Sequence, residues 1–245
     1  MMTVDKTASQ PIYRQVIQAL RERLERGELL PGGRAPSERE LADLYDISRM
    51  TARGALRELI RDGLLYTVPG KGTFVAWPKM QQPLNTLTSF TEDMRARGLL
   101  AGTRVLGQGI EVSSSAVTER LRLSASAPVV VIRRVRLANE EPMCVETVHL
   151  DAERFGSLLR YDLAHRSLYD ALNEFGVTLV RADQQIEATN ARARDATLLG
   201  VPRGSALLSI ERTSYDPEDH PVEAVNSLYR GDRYRFNAQL QRGAW

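Results

Sequence analysis

The sequence predicts an α+β chain in two parts: a small helical unit closed by a β-hairpin, and a larger unit on a mainly antiparallel sheet. Three observations predict it. Up to about residue 76, apolar residues recur at helical spacing and capping residues precede the runs. From about residue 104, runs rich in Val, Ile, Thr and Tyr take over, with short helical stretches between them. Some of these runs adjoin through links as short as Asn139-Glu140-Glu141, which suit antiparallel neighbours, whereas a parallel pair needs a long crossover. At 245 residues, 42% apolar and 26% charged, the chain has room for two domains of ordinary globular composition.

Pro11 opens the first helix, where a missing N–H costs nothing. Ile12, Val16, Leu20 and Leu24 give it one apolar face, and Gly27 and Pro31 end it. Ser37 and Glu40 have capping-box spacing. Leu41, Ala42 and Leu44 are expected on the buried side of that second helix. Ser48 caps a third, which turns Ala52, Ala55, Leu56, Leu59 and Ile60 inward before Gly63 stops it. Two short β runs, 64–68 and 73–76, flank the turn Pro69-Gly70-Lys71-Gly72. Pro78 and Pro83 mark 77–87 as a linker between a domain at 1–76 and one at 88–245. In the latter, strands are expected at 104–112, 128–138, 142–149, 178–189, 205–215, 222–230 and 234–240. Helices are expected near 89–97, 115–123, 152–160, 167–175 and 191–199.

Composition narrows the function. A single cysteine, Cys144, excludes an intrachain disulfide and cysteine-rich zinc modules. It is read as a packing residue. His149, His165 and His220 are scattered, so no metal site is expected. No GxGxxG follows a strand and no GxxxxGK[ST] occurs, so no cofactor is expected. No signal-like apolar run opens the chain and no stretch is long enough to span a bilayer. A cytoplasmic setting with no membrane partner is expected.

Helix, turn, capped helix and hairpin together make a winged helix-turn-helix, whose last helix enters a DNA major groove. Here that helix begins Ser48-Arg49-Met50-Thr51-Ala52-Arg53. Arg49 and Arg53 share a helical face, and an arginine fork can grip guanine. The net charge of the whole chain is only +2, yet residues 47–79 carry six basic residues against two acidic ones. Lys71, between Gly70 and Gly72, stands where a wing tip meets a phosphate or the minor groove. The bland alternative is a solvated amphipathic helix.

Pro36-Ser37-Glu38-Arg39-Glu40-Leu41-Ala42, Ile47-Ser48-Arg49-Met50-Thr51 and Gly70-Lys71-Gly72-Thr73-Phe74-Val75 resemble the GntR-family DNA-binding domain. The resemblance implies operator contacts from Arg39, Arg49, Thr51, Arg53 and the glycine-bearing wing. Ala35, Ala52 and Gly54 depart from the family's usual leucine, valine and glutamine.

In the second part, Thr88-Ser89-Phe90-Thr91-Glu92-Asp93 has the form of a helix start, with Ser89 and Glu92 at capping-box spacing. Its hydroxyls and free N–H groups suit a phosphate; the alternative is a plain capped helix. Arg134 and Arg136 are two apart on one strand, hence on one face. They repel unless an anion or acids lie between them. Glu146 and Glu223 are either their salt-bridge partners or acceptors for sugar hydroxyls or an amine. Glu223 and Tyr229 share strand parity. Ser167 caps a helix with Tyr169 in its first turn.

The stretches 87–94, 134–139 and 229–234 resemble the UTRA effector-binding domain of the HutC subfamily, in the branch that regulates N-acetylglucosamine use. That resemblance implies a chorismate-lyase-like fold, a homodimer on a palindromic double-stranded operator, and a small phosphorylated effector, an amino-sugar 6-phosphate. It puts Ser89, Phe90, Thr91, Arg134, Arg136, Ser167 and Tyr169 at the phosphate and Glu146, Glu223 and Tyr229 at the sugar. The expected function is a transcriptional regulator, a repressor, and not an enzyme. Another phosphosugar or an organic acid is the alternative ligand. A lyase-like enzyme with Glu146 and Glu223 as acid and base is the other reading, with neither a nucleophile–histidine pair nor a metal constellation behind it.

Overall fold

Three helices and a hairpin build the first part: α1 (Ile12–Glu25), α2 (Glu38–Tyr45), α3 (Arg49–Arg61), β1 (Leu65–Val68) and β2 (Gly72–Val75). The structure, a computed structural model, describes residues 4–68 and 70–240. Pro69 of the expected turn and Trp245 lie outside the described residues. Pro11 precedes α1 with φ −52°, the value its ring imposes. The capping box of α2 is formed: Glu40 N donates to Ser37 Oγ at 3.2 Å and Ser37 N to Glu40 Oε2 at 2.7 Å. Val16, Leu20, Leu41, Ala52, Leu56, Leu59, Leu65 and Val75 close one core. Leu44 is a correction: it is 42% exposed, and Tyr45 is buried instead. The buried stripe of this two-turn helix runs through 41, 42 and 45, which turns 44 outward. β1 and β2 pair antiparallel from Leu65↔Val75 to Val68↔Gly72. Gly70 and Gly72 take φ +73° and +113° in the turn, where a side chain would be strained.

The chain divides between Lys79 and Met80. The expected linker 77–87 is therefore corrected, because β3 (Met80–Pro83) falls inside it and pairs in parallel with β10 (Tyr234–Asn237). Met-Gln-Gln-Pro has no β-branched residue, and its partner lies near the other end of the chain. β3 is thus a strand by tertiary pairing, without local propensity.

The second unit continues with α4 (Phe90–Ala96), β4 (Ala101–Val112), α5 (Ser115–Arg120), β5 (Pro128–Ala138) and β6 (Glu141–Asp151). α6 (Ala152–Phe155), a 3-10 turn (Gly156–Arg160), α7 (Leu168–Glu174), β7 (Arg181–Asn190), α8 (Ala193–Leu199), β8 (Ala206–Tyr215) and β9 (Pro221–Arg230) follow. Six strands form one sheet, β4-β5-β6-β9-β8-β7, with every neighbour antiparallel. Asn139 and Glu140 link β5 to β6 with φ 46° and 66°, the pair of positive angles a tight hairpin turn needs.

Register decides what meets on each face. Cross-strand partners share a face, so one face carries the row Val105, Arg134, Glu146, Ser227, Ile210. Beside it runs Ile132, Val148, Val225, Arg212, and then Val130, Leu150, Glu223, Ser214. At one end, Phe155, Leu158, Leu168 and Leu172 cover Val130, Ile132, Val148 and Leu150. At the other, Met94 of α4 packs with Ala138, Met143 and Tyr234. The polar residues lie between these two apolar patches. On the opposite face Val117 and Leu121 pack on Val129 and Val131, and Ala196 and Leu199 on Leu207. Among the described residues no helix is long and apolar enough to cross a membrane.

Candidate functional site

Two constellations stand out, one in each unit. In the first, Arg49 and Arg53 are exposed on the opening turns of α3, with Thr51 half-buried between them. Ser48 Oγ accepts from Thr51 N at 3.0 Å and meets Thr51 Oγ1 at 2.8 Å, so both hydroxyls hold the helix start. Arg53 Nε lies 3.6 Å from Glu38, and Arg39 Nε 3.7 Å from Asp43. Exposed pairs of this kind are worth under about 1 kcal/mol, so the guanidiniums are available to another partner. Arg39, Arg49 and Gly72 border one cleft, and Arg34, which the sequence reading did not single out, borders it too. Lys71 is exposed beside it in the chain.

In the second unit, nine of the expected effector residues line one small cavity: Ser89, Phe90, Thr91, Arg134, Arg136, Glu146, Ser167, Tyr169 and Glu223. The tenth, Tyr229, lines the cleft of about 280 Å³ that shares Ser89, Phe90, Glu146 and Arg212 with it. Two helix starts and four strands, β5, β6, β8 and β9, converge here. Ser89 N-caps α4: its Oγ accepts from Glu92 N at 3.1 Å, which leaves its own O–H to donate. Ser167 precedes α7 and makes no side-chain cap bond.

Arg134 and Arg136 are 4% and 3% exposed. Arg134 Nε donates to Glu146 Oε1 at 3.0 Å, and its Nη2 reaches the same oxygen. Among the described residues Arg136 finds only hydroxyls, Thr103 Oγ1 at 2.7 Å and Thr91 Oγ1 at 2.9 Å, with the Phe90 ring 4.8 Å from its guanidinium carbon. Burial, then the like charge of Arg134, pulls the Arg136 pKa down. Arg134 Nη1, Arg136 Nε and Arg212 Nε are buried with no hydrogen-bond partner among the described residues. Buried donors are rarely left so, and each one points to a missing acceptor.

The two carboxylates differ. Burial alone would push Glu146 up, but Arg134, then Arg136 and Arg212, hold it below the usual carboxylate range. Glu223 accepts from Ser214 Oγ at 2.8 Å and Tyr169 Oη at 3.1 Å, with Arg212 Nη2 at 3.9 Å. There burial prevails and raises its pKa. Tyr169 is pushed up by burial and by Glu223, so its phenol stays a donor. Three guanidiniums thus face two carboxylates, so the site is short of negative charge. Arg212 was missed by sequence reading. Its signal was an inward parity shared with the buried Ile210 and Ser214.

Cys144 is fully buried and burial pushes its thiol up, as befits packing. Asp216, Glu218 and His220 bring ligand atoms within 4.8 Å of one another. Asp216 Oδ1 already accepts from His220 N at 2.8 Å, and its Oδ2 lies 3.5 Å from Arg154.

Comparison with known proteins agrees with both halves. The model of the gntR family of bacterial regulatory proteins matches residues 12–75, and that of the UTRA domain matches residues 96–235. The chain is 39% identical over 242 residues to the HTH-type transcriptional repressor NagR of Bacillus subtilis, covering 98% of this chain and 99% of that one. It is 34% identical over 226 residues to the HTH-type transcriptional repressor PhnF of Mycolicibacterium smegmatis, covering 92% and 91%. The crystal structure of PhnF from Mycobacterium smegmatis matches with a TM-score of 0.66 at 33% identity, over 93% of this chain and 100% of that one. Relatives matched along nearly their whole length are regulators, which removes the lyase reading. The chain belongs to the gntR family of bacterial regulatory proteins: it is a transcriptional regulator with an N-terminal helix-turn-helix unit and a C-terminal UTRA domain.

Proposed function

We propose that this regulator is a homodimeric repressor of a palindromic operator, controlled by an amino-sugar 6-phosphate: glucosamine 6-phosphate or its N-acetyl form. One observation carries the effector class. Among the described residues the buried guanidinium of Arg136 has no hydrogen-bonded carboxylate and an orphaned Nε, beside the orphaned Nη1 of Arg134. A phosphate supplies the missing acceptors and charge, and the planar fork of a guanidinium can donate to two of its oxygens at once. The Thr91 and Ser89 hydroxyls add donors, with Ser167 and Tyr169 alongside. Glu146 and Glu223 then face the sugar, where carboxylates accept from hydroxyls or an ammonium, and Tyr229 lies against its ring. The similarity to the HTH-type transcriptional repressor NagR supports the repressor assignment.

The cavity has room for about one water, roughly 20 Å³. Glu146 occupies Arg134 meanwhile. Effector binding exchanges that internal anion for an external one, and side chains move to admit it. The segment 82–90 lines the cleft and begins within β3, just after the division between units. It is the path by which occupancy alters the placement of the reading heads. A ligand shifts such an equilibrium only by preferring one arrangement.

At the operator, Arg49 and Arg53 read base edges, Arg39 and Thr51 flank them, Ser48 orients the helix, and Lys71 between Gly70 and Gly72 meets the backbone or minor groove. Calorimetric titration of the full chain with both sugar phosphates and their unphosphorylated forms tests the effector. Binding only of the phosphorylated pair is expected; binding of neither, or equal binding of glucosamine itself, overturns the assignment.

A further inference from the structure

At the foot of the wing, Arg34, Arg39 and Arg49 surround a cleft of about 330 Å³, with Gly72 and Thr73 on its wing side. Arg34 is held there by backbone pairing. It forms an antiparallel bridge to Phe74, and Ala35 N donates to Thr73 O at 2.9 Å. Gly32 N donates to Val75 O and Val75 N to Gly33 O, both at 2.9 Å. The segment before α2 therefore lies along β2 as a third edge of the wing. The Arg34 side chain passes the turn: a Cβ on Gly72 would sit 3.5 Å from its Nε. Ala35, buried on the cleft wall, contributes only a methyl group and leaves the space open.

The neighbouring acids are already engaged. Glu38 faces Arg53, Asp43 faces Arg39, and Glu40 accepts from Ser37 N. Among the described residues Arg34 and Arg49 have no carboxylate within ion-pair distance. Three guanidiniums share this cleft with a single carboxylate, that of Glu38. An exposed cleft with unspent arginine donors on two elements suits a tetrahedral anion.

We propose that the cleft seats one phosphate of the DNA backbone, and that Arg34 is a DNA-contacting residue that ties the wing to the start of α3. The inference rests on the reading that α3 and the wing face DNA. A phosphate contact fixes register and carries no sequence information, so Arg34 acts on affinity and not on base choice.

The test uses a duplex selected from a random pool by the wild-type full chain and an unrelated duplex of equal length. Binding of both is followed by fluorescence anisotropy across a salt series. Arg34→Ala weakens both duplexes by the same factor, roughly tenfold at low salt, and lowers the salt slope by about one. Arg34→Lys retains the charge and keeps the slope. Arg49→Ala, run alongside, narrows the ratio between the two duplexes. If Arg34→Ala leaves slope and affinity unchanged, or weakens only the selected duplex, the phosphate seat is wrong. If Arg49→Ala is equally silent, the reading head itself is misassigned.

Discussion

Arg136→Met removes a buried cation that has no carboxylate hydrogen-bonded to it and replaces the guanidinium over Phe90 with an apolar, unbranched side chain. The lost interactions can be counted. Among the described residues Arg136 Nε has no partner, and its two Nη groups reach only threonine hydroxyls. A bound phosphate would take at least two charge-assisted bonds from this guanidinium, each worth about 1.5–3 kcal/mol. The low end, about 3 kcal/mol, is roughly a hundredfold in affinity. Stability should move little or rise, because replacing a buried unneutralised charge with an apolar side chain of similar length is often neutral or stabilising. Calorimetry with glucosamine 6-phosphate and a denaturant titration without ligand read the two effects separately. The expected result is a hundredfold loss of affinity with an unchanged or higher unfolding midpoint. A well-folded variant that binds within about twofold of wild type refutes the phosphate reasoning. A variant that loses stability instead shows Arg136 to be a structural residue.

Glu146→Gln breaks the buried pair with Arg134 and should cost about 3–5 kcal/mol, with phosphate-bearing ligand raising the variant's melting temperature more than wild type's. Because the folded pKa of Glu146 is depressed, its contribution is present above the ordinary carboxylate value and is lost as pH falls, so the gap between variant and wild type should close in acid. Glu223→Gln has the opposite sign. Burial raises the folded pKa of Glu223, so its contribution is complete below the ordinary carboxylate value and is lost as pH rises through the raised one. The glutamine retains an acceptor for Tyr169 and Ser214, and its denaturation midpoint should exceed wild type's at neutral pH, the two converging in acid. Gly54→Ala, inside α3 with nothing within 4 Å of the added Cβ, should stabilise the first unit by about 1 kcal/mol; a drop in its unfolding midpoint contradicts the open environment.

Much of this was legible because local signals and register agree. The capping boxes at Ser37 and Ser89 name two helix starts outright, and the i, i+2 spacing of Arg134 and Arg136 places both on one sheet face. Glu146 illustrates the limit. Sequence leaves it between salt bridge and sugar contact, and only the pairing of β5 with β6 sets it opposite Arg134. β3 was hidden because its pairing with β10 is nonlocal, and Arg212 because a single inward arginine on β8 resembles any charged residue in a strand. Arg34 lies in a loop before α2, where no periodicity acts; the bridge to Phe74 gives it a role. Leu44 was misread because a two-turn helix shows too little of its period to fix the centre of its buried stripe.

The most direct measurement is the affinity of the full chain for its selected operator duplex with and without saturating glucosamine 6-phosphate and, separately, its N-acetyl form. A repressor relieved by an amino-sugar phosphate loses operator affinity by tenfold or more with at least one of them, as a coupling above about 1.4 kcal/mol requires, and Arg136→Met abolishes the response while binding DNA as wild type does. Operator affinity that neither sugar phosphate changes contradicts the account.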